Sequence, residues 1–127
     1  RAEFEQEYVK VCAEHNLGVL TYFSLASGFL TGKYRSEADF GKSVRGSSMG
    51  KYLTPRGLKI LDALDAVSKR HDSVPATVSL AWLMARPHIT APIASATSIA
   101  QLKELMSAAE LQLSTADMVE LDAASAY

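Results

Sequence analysis

The chain has little of several residue types whose abundance would indicate a particular class of protein. Its 127 residues include one cysteine, and 13 Lys and Arg side chains stand against 14 Asp and Glu. This near balance leaves no basic surface for DNA, RNA or anionic lipid. Cys12 has no partner for an internal disulfide and no Cys or His neighbour at zinc-binding spacing, so we expect a buried helix residue.

Long apolar runs are also absent. No segment approaches the roughly 18 apolar residues that span a bilayer, and the first residues, RAEFEQEYVK, are too acidic for a secretory or mitochondrial signal. These absences predict a soluble cytoplasmic protein that binds neither nucleic acid nor membrane. The length fits one domain, provided that the elements of the chain can cover one another.

The spacing of the apolar residues predicts an alternation of helices and strands. Helices are expected over residues 2–15, 58–71, 75–86, 99–109 and from 115 to the C-terminus, and strands over Gly18–Leu25 and His88–Ser95. Ser98 with Gln101 three residues later is a capping-box signature. Residues 36–55 carry scattered charges and glycines without periodicity, which predicts a long loop that is either functional or disordered.

Isolated polar and aromatic side chains in this pattern favour structural roles. His15, His71 and His88 fall at helix ends and a strand start, which indicates capping or surface positions. Residues at helical spacing are expected in the core, namely Trp82, Met84, Met106 and Met118.

The two predicted strands indicate an incomplete sheet. The run Val19–Phe23 is apolar without clean alternation, which is typical of a strand covered on both faces in a parallel sheet. Two such strands would leave backbone edges and apolar side chains in water. The sequence therefore predicts an α/β fold with missing neighbours, as in the remainder of an eight-stranded parallel barrel cut after its sixth strand, or a chain that pairs with another polypeptide.

The segment Gly18–Arg35, GVLTYFSLASGFLTGKYR, is the most informative stretch. The small residues after its strand allow backbone N–H groups to approach an anion such as pyrophosphate. By residue type alone, an ordinary turn with a solvated Lys33 remains the alternative. A P-loop is excluded, because Gly28 and Gly32 are one residue too close and Tyr34 stands where Ser or Thr is needed.

Taken in order, these motifs resemble the carboxyl-terminal part of the aldo-keto reductases. The segment above resembles their seventh barrel strand and loop, Y-S-P-L-A-x-G-x-L-T-G-K-Y. SVPATVSLAWLMARP is similar to their S-P-A-Q-V-A-L-A-W-L-L run, and PIASATSIAQLKE to their eighth strand, P-I-P-G-A-R-x-x-x-Q-L-x-E-N. With Arg1–Glu14 as the helix after strand six, the resemblance covers residues 1–127 and implies the end of a (β/α)8 TIM barrel.

The resemblance implies a reductase that transfers hydride from NADPH to a small aldehyde or ketone. It places Tyr22 beside the nicotinamide. It assigns the contacts with the pyrophosphate to Ser24, Leu25, Ala26, Ser27, Gly28 and Lys33. It assigns contacts with the 2′-phosphate and ribose to Ser95, Thr97, Ser98 and Gln101, and it places Glu104 near the adenine amino group.

The chain departs from the family pattern at several of these positions. Phe23 replaces a serine that contacts the cofactor, and Leu105 replaces an asparagine near the adenine. Ser95 and Gln101 stand where some branches have Lys and Arg, which leaves a neutral pocket. NADP is still favoured, because hydroxyls and a helix N-terminus can bind phosphate, and NAD remains the alternative.

The family's catalytic residues have no counterpart in this sequence. Its aspartate, tyrosine, lysine and histidine lie on the first four strands and their loops, and no tyrosine here has the Lys and Asp neighbours that would poise it for proton transfer. Two alternatives stay open: a cofactor-binding regulatory protein like the potassium-channel beta subunits of the family, or a strand-swapped structural fragment. A stable oligomer that buries Val19–Phe23 in size-exclusion measurements would favour the latter.

This incompleteness generates the first prediction. The purified 127-residue chain should reduce no carbonyl compound with NADPH, because the proton donor and its partners are missing. Absorbance of NADPH at a fixed wavelength, followed with a panel of aldehydes and ketones, measures this. Robust turnover by a clean preparation would contradict it.

Overall fold

The structure, a computed structural model, describes all residues from Arg1 to Tyr127. Its α-helices are α1 (Val9–Glu14), α2 (Pro55–Arg70), α3 (Pro75–Met84), α4 (Ile99–Ser107) and α5 (Thr115–Ala124). The strands are β1 (Leu20–Thr21) and β2 (Ala91–Pro92), a π-helical turn covers Phe4–Tyr8, and 3-10 helices cover Ala26–Thr31, Glu37–Lys42 and Gly46–Lys51. No helix is both long and apolar enough to span a membrane.

Local signals set the starts of the longer helices. Pro55 and Pro75 stand in the first turns of α2 and α3, where a missing N–H costs nothing. The Thr54 hydroxyl oxygen accepts a hydrogen bond from the Gly57 amide at 3.0 Å. The predicted cap at Ser98 is confirmed, because its hydroxyl accepts from the Gln101 amide at 3.2 Å, and Ser114 likewise accepts from the Asp117 amide at 3.1 Å.

The core lies on the helical side of the molecule, where α2 contacts α3 and α5. Its fully buried side chains include Leu61, Val67 and Val78 of these helices and Tyr34 and Met49 from the segment between β1 and α2. The helices at 58–71 and 75–86 are thus confirmed within a few residues. Trp82 packs at the edge of this core and Met118 is half-buried, whereas Met106, predicted to be internal, is 64 % exposed.

Residues 36–55 are folded, so the prediction of a loop without regular structure is wrong. Two of the 3-10 helices lie here, and the first is capped by Ser36 with Asp39 in a capping box. The Tyr34 hydroxyl shares a 2.5 Å hydrogen bond with Ser43. A 3-10 helix has three residues per turn, so a search for the 3.6-residue period of an α-helix does not detect it.

The strands pair in parallel, as the sequence predicts, but they are much shorter than the eight residues expected of each. Leu20 lies opposite Ala91 and Thr21 opposite Pro92. β1 ends at Thr21, and two residues later Phe23 has a left-handed φ of 57°. No strand pairs with the outer edge of either β1 or β2. Without neighbours the ladder has few hydrogen bonds to extend it.

The apolar run of β1 is therefore exposed instead of covered on both faces. Leu20 is 61 % exposed, Tyr22 75 % and Phe23 60 %. The first helix, expected over 2–15, is also loosely attached, with no buried residue in its π-helical turn or in α1. Cys12 is half-buried, so its predicted burial is wrong for the same reason: nothing in the chain covers that face.

A charged cluster joins the end of α2 to the start of α5. Asp117, only 3 % exposed, accepts hydrogen bonds from Ser114, from Arg70 Nη2 at 2.9 Å and from His71 Nε2 at 2.8 Å. Burial alone would raise the pKa of Asp117, but the hydrogen bonds from Ser114, His71 and Arg70 outweigh it and hold the pKa well below its usual range. His71 is thus at a helix end, as predicted, with a specific partner.

The close approach at the start of α2 predicts a steric effect. A Cβ at Gly57 would lie 1.9 Å from the Tyr52 carbonyl oxygen, whereas a Cβ at Gly41 would meet nothing within 4 Å. Gly57→Ala should lower the free energy of unfolding by about 2 kcal/mol or more, because backbone must move to admit the methyl group. Gly41→Ala is the matched control and should change it little. Equal stabilities in urea unfolding would contradict this packing.

The Asp117 cluster predicts a dependence of stability on pH. Because the folded pKa lies below the unfolded value of about 3.9, ionised Asp117 stabilises the fold above that pH, and this contribution falls as the solution is acidified further. Asp117→Asn should cost about 2 kcal/mol at pH 7, with a difference from the native chain that shrinks below pH 4. Asp62→Asn, on the exposed face of α2, is the control. A difference that does not change with pH would contradict the assignment.

Candidate functional site

Two loops follow the carboxyl ends of the paired strands. The Ile93 amide donates to the Thr21 carbonyl at 3.0 Å, and the Thr90 amide donates to the Val19 carbonyl at 2.9 Å. Because β1 and β2 run parallel, the segments that follow them leave the sheet on the same side. The structure therefore brings the two groups of predicted site residues, 22–33 and 95–104, to the same end of the strand pair, beyond the carboxyl ends of β1 and β2.

The first loop is tightly folded. Ala26, Ser27 and Gly28 have consecutive left-handed φ angles of 49°, 59° and 98°. The Ala26 amide donates to the Phe23 carbonyl at 2.7 Å, and the Gly28 amide donates to the Leu25 carbonyl at 2.9 Å. Only Gly28 adopts this conformation without steric cost, so the surrounding contacts hold the other two residues in strained geometry.

Ser24 is buried beneath this loop with its side chain already engaged. Its hydroxyl donates to the Thr21 carbonyl at 2.8 Å and lies 2.9 Å from the Thr21 hydroxyl oxygen. In contrast, the backbone amides of Ser24 and Leu25 donate to no group of the chain. In this loop the unpaired hydrogen-bond donors are backbone amides, and the hydroxyl of Ser24 bonds within the fold.

Lys33 supplies the positive charge at the first loop. A Cβ at Gly28 would lie 4.0 Å from Lys33 Nζ, so the ammonium group sits over the left-handed turn. This Nζ is 5.1 Å from the centre of the Tyr34 ring and takes part in no ion pair. The nearby Lys42 is committed instead, with its Nζ 2.7 Å from Asp39. Lys33 is thus a free, exposed cation above a turn of small residues.

The second loop leads into the N-terminus of α4. Its polar side chains are exposed, and Gln101 Oε1 accepts hydrogen bonds from the amide and the hydroxyl of Thr97 at 2.9 and 3.0 Å. With Ser98 capping the helix, only Ser95 and Glu104 have side chains that form no hydrogen bond. No acidic residue lies in the first turn of α4, and the Gln101 amide already bonds to Ser98, so the helix dipole and the amides of Ile99 and Ala100 remain available to an anion.

Helix α3 connects the two halves of the predicted site, because it contacts both the 3-10 helix Ala26–Thr31 and α4. Tyr22, at the start of the first group, is 75 % exposed, and its ring centre lies 4.4 Å from that of Phe23. A single ligand that engages both groups must therefore be extended.

A groove of about 930 Å³ opens beside the strands. It is lined mainly by apolar side chains and includes Tyr22, Ser24 and Ala26, but neither Lys33 nor any residue of 95–104. Most of the predicted site thus lies outside this groove. The described side chains also contain no group of His, Cys, Asp and Glu that could hold a metal ion.

One cluster at this groove is not foreseen from the sequence. The guanidinium of Arg86 lies 4.0 Å from the centre of the Trp82 ring, and that of Arg1 lies 5.2 Å from it. Asp122 accepts from Trp82 Nε1 at 3.0 Å and pairs with Arg86. Burial, followed by the charge of Arg1, lowers the pKa of Arg86. The sequence offered no signal for it, because Arg1 and Trp82 are far apart along the chain.

Comparison with known proteins identifies the family. A model of the aldo/keto reductase family matches residues 1–126. The chain belongs to the aldo/keto reductase family. The (β/α)8 barrel is the fold of aldo-keto reductases, and a helix-rich α/β structure with one parallel strand pair is consistent with part of such a barrel.

Individual aldo-keto reductase relatives match over most of this chain but only part of their own. The protein named aldo-keto reductase yakc, NADP(+), of Schizosaccharomyces pombe is 29% identical over 116 residues, which are 89% of this chain and 34% of yakc. An aldo-keto reductase of Babesia bovis is 32% identical over 129 residues, 94% of this chain and 45% of its own. A probable voltage-gated potassium channel subunit beta of Arabidopsis thaliana is 27% identical over 116 residues, which are 87% of this chain and 35% of that protein. The chain thus spans about a third to just under half of these relatives.

Proposed function

We propose that the chain is the carboxyl-terminal, cofactor-binding part of an NADP-dependent aldo-keto reductase. The observation that carries the proposal is the parallel pairing of β1 and β2, which sets two anion-accepting loops at one edge of the sheet. This is the edge at which barrel enzymes of this kind bind their ligands. When bound, NADPH would supply the hydride that reduces a small aldehyde or ketone.

The first loop is suited to the pyrophosphate. The unpaired amides of Ser24 and Leu25 and the ammonium group of Lys33 present hydrogen-bond donors and positive charge to the same turn. Ala26, Ser27 and Gly28 lack bulky side chains, so a phosphate can approach the backbone closely. Their left-handed conformations are the kind of strained backbone that the surrounding structure maintains at ligand sites.

The second loop is suited to the adenosine end. Ser95, Thr97 and Ser98 place hydroxyl groups around the N-terminus of α4, where the helix dipole favours a phosphate. Gln101 holds this turn in shape through its two hydrogen bonds with Thr97. Glu104 is exposed one turn further along the helix and can accept a hydrogen bond from an adenine amino group.

The absence of a charged side chain at the 2′-phosphate position leaves the choice of coenzyme open to measurement. Neutral hydroxyls with a helix N-terminus bind phosphate without excluding a ribose hydroxyl. The name of the yeast relative specifies NADP(+), which supports NADP here. NAD is the alternative.

The exposed strand pair supports a place within a larger barrel. Leu20, Tyr22 and Phe23 together form an apolar surface beside unpaired strand edges, and Ile93 is half-exposed beyond the end of β2. Such an edge is unfavourable in water and a hazard for aggregation. Further strands, supplied by the part of the barrel that precedes Arg1 or by another copy of the chain, would cover it.

Two tyrosines of the chain are poorly suited to donate a proton for carbonyl reduction. Tyr34 is fully buried with its hydroxyl bonded to Ser43. The hydrogen bond to Glu3 and the negative charge of that residue raise the pKa of Tyr8, the opposite of what a proton-donating phenol requires. We infer that the acid comes from the preceding part of the protein.

Two relatives are named as potassium channel beta subunits, which supports a cofactor-binding regulatory protein as the second candidate. Both candidates share the cofactor site. Carbonyl reduction by the full-length protein that carries this sequence would favour the enzyme, and tight coenzyme binding with no turnover would favour the regulatory protein.

The cofactor site is tested by a titration of the full-length protein with NADPH. Lys33→Met should raise the Kd about tenfold, because it removes a cation that contacts the pyrophosphate. Lys69→Met, an exposed lysine in the last turn of α2, is the matched control and should stay within about twofold. NADPH binding that Lys33→Met leaves unchanged, or no binding of NADPH or NADH by the native protein, would contradict the assignment.

A further inference from the structure

Helix α4 packs mainly against α3. None of its residues is buried, and Ile99, Leu102 and Met106 are exposed apolar side chains. The nearest buried residue is Ala108, just after the helix ends. The position of α4 relative to the first loop therefore depends on its interactions with α3.

The best defined of these interactions is a hydrogen bond from Thr77. This residue is 2 % exposed, and its hydroxyl donates to the Glu104 carbonyl oxygen at 2.7 Å. That carbonyl lies in the last turn of α4, where the usual helical donor, the Ala108 amide, bonds to Leu105 instead at 3.3 Å. The Ser107 hydroxyl donates to the same oxygen at 2.8 Å. Thr77 thus satisfies a helix-end carbonyl and its own buried hydroxyl together.

The same turn of α3 also contacts the first loop. A Cβ at Gly32, which closes the 3-10 helix Ala26–Thr31, would lie 3.4 Å from Cγ of Pro75. Pro75 and Thr77 are two residues apart in the first turn of α3. One helical turn therefore touches the pyrophosphate loop on one side and the adenosine-binding helix on the other.

We propose that Thr77 is a positioning residue, which sets the spacing between the loop Ser24–Lys33 and α4. The proposal rests on the proposed function and adds a determinant of coenzyme affinity that touches no part of the coenzyme. An extended ligand held at both ends binds tightly only when the distance between its two subsites matches its own length. A hydroxyl that fixes this distance affects the intact dinucleotide and not either half alone.

Isothermal titration of the full-length protein with NADPH and with 2′,5′-ADP, which carries only the adenosine end, tests this. Thr77→Val keeps the shape of the side chain and removes the hydroxyl, and it should raise the Kd for NADPH about fivefold while that for 2′,5′-ADP stays within about twofold. Thr77→Ser restores the hydroxyl and should restore the affinity. Ser68→Ala, which removes a buried hydroxyl of α2 that has no partner, should change neither value.

Three results would overturn the inference. These are unchanged NADPH affinity in Thr77→Val, equal losses for NADPH and 2′,5′-ADP, and failure of Thr77→Ser to recover binding. An equal loss would mean that Thr77 maintains the adenosine subsite itself. Failure of the native protein to bind either compound would instead overturn the proposed function, so the two proposals fail in distinguishable ways.

Discussion

The parallel pairing of β1 with β2 is the constraint on which the candidate cofactor site depends. A few backbone hydrogen bonds between Val19–Thr21 and Thr90–Ile93 join two segments that are far apart in the sequence. Because parallel strands end on the same side, the pairing sets the strained turn of Ala26–Gly28 and the capped start of α4 along one edge. The same pairing leaves both outer edges open, so the arrangement that creates the site also exposes Tyr22 and Phe23.

The helices provide the stability that the strands lack. α2, α3 and α5 surround Leu61, Val67 and Val78, and the Asp117 cluster ties the end of α2 to α5. This core supports the site from behind, because α3 contacts both the loop and α4. This combination of a packed helical core and an unpaired strand pair is consistent with part of a barrel, in which the outer helices pack on one another and each strand has a neighbour on both sides.

The sequence predicted those parts of the fold that depend on local signals. Helices α2 to α5 have apolar residues at helical spacing and serine or proline at their starts, and the two short strands lie within the predicted segments and pair in parallel. The folded segment 36–55 was missed, because its 3-10 helices are held by contacts such as that of Gly46, where a Cβ would lie 1.7 Å from the Phe40 carbonyl oxygen. The site residues came from the family resemblance. The resemblance does not predict which of these residues already form hydrogen bonds within the chain. Ser24 bonds to Thr21, for example, across the turn in which Phe23 is left-handed.

Amide hydrogen exchange across residues 18–25 tests the central claim most directly, when the isolated 127-residue chain is compared with the full-length protein. The account predicts that amides of this segment exchange on the order of 100-fold more slowly in the full-length protein, because added strands pair with the open edges. The amides of α2 serve as the internal reference for the folded core. Equally fast exchange of Leu20–Phe23 in both proteins, with α2 protected in both, would contradict it.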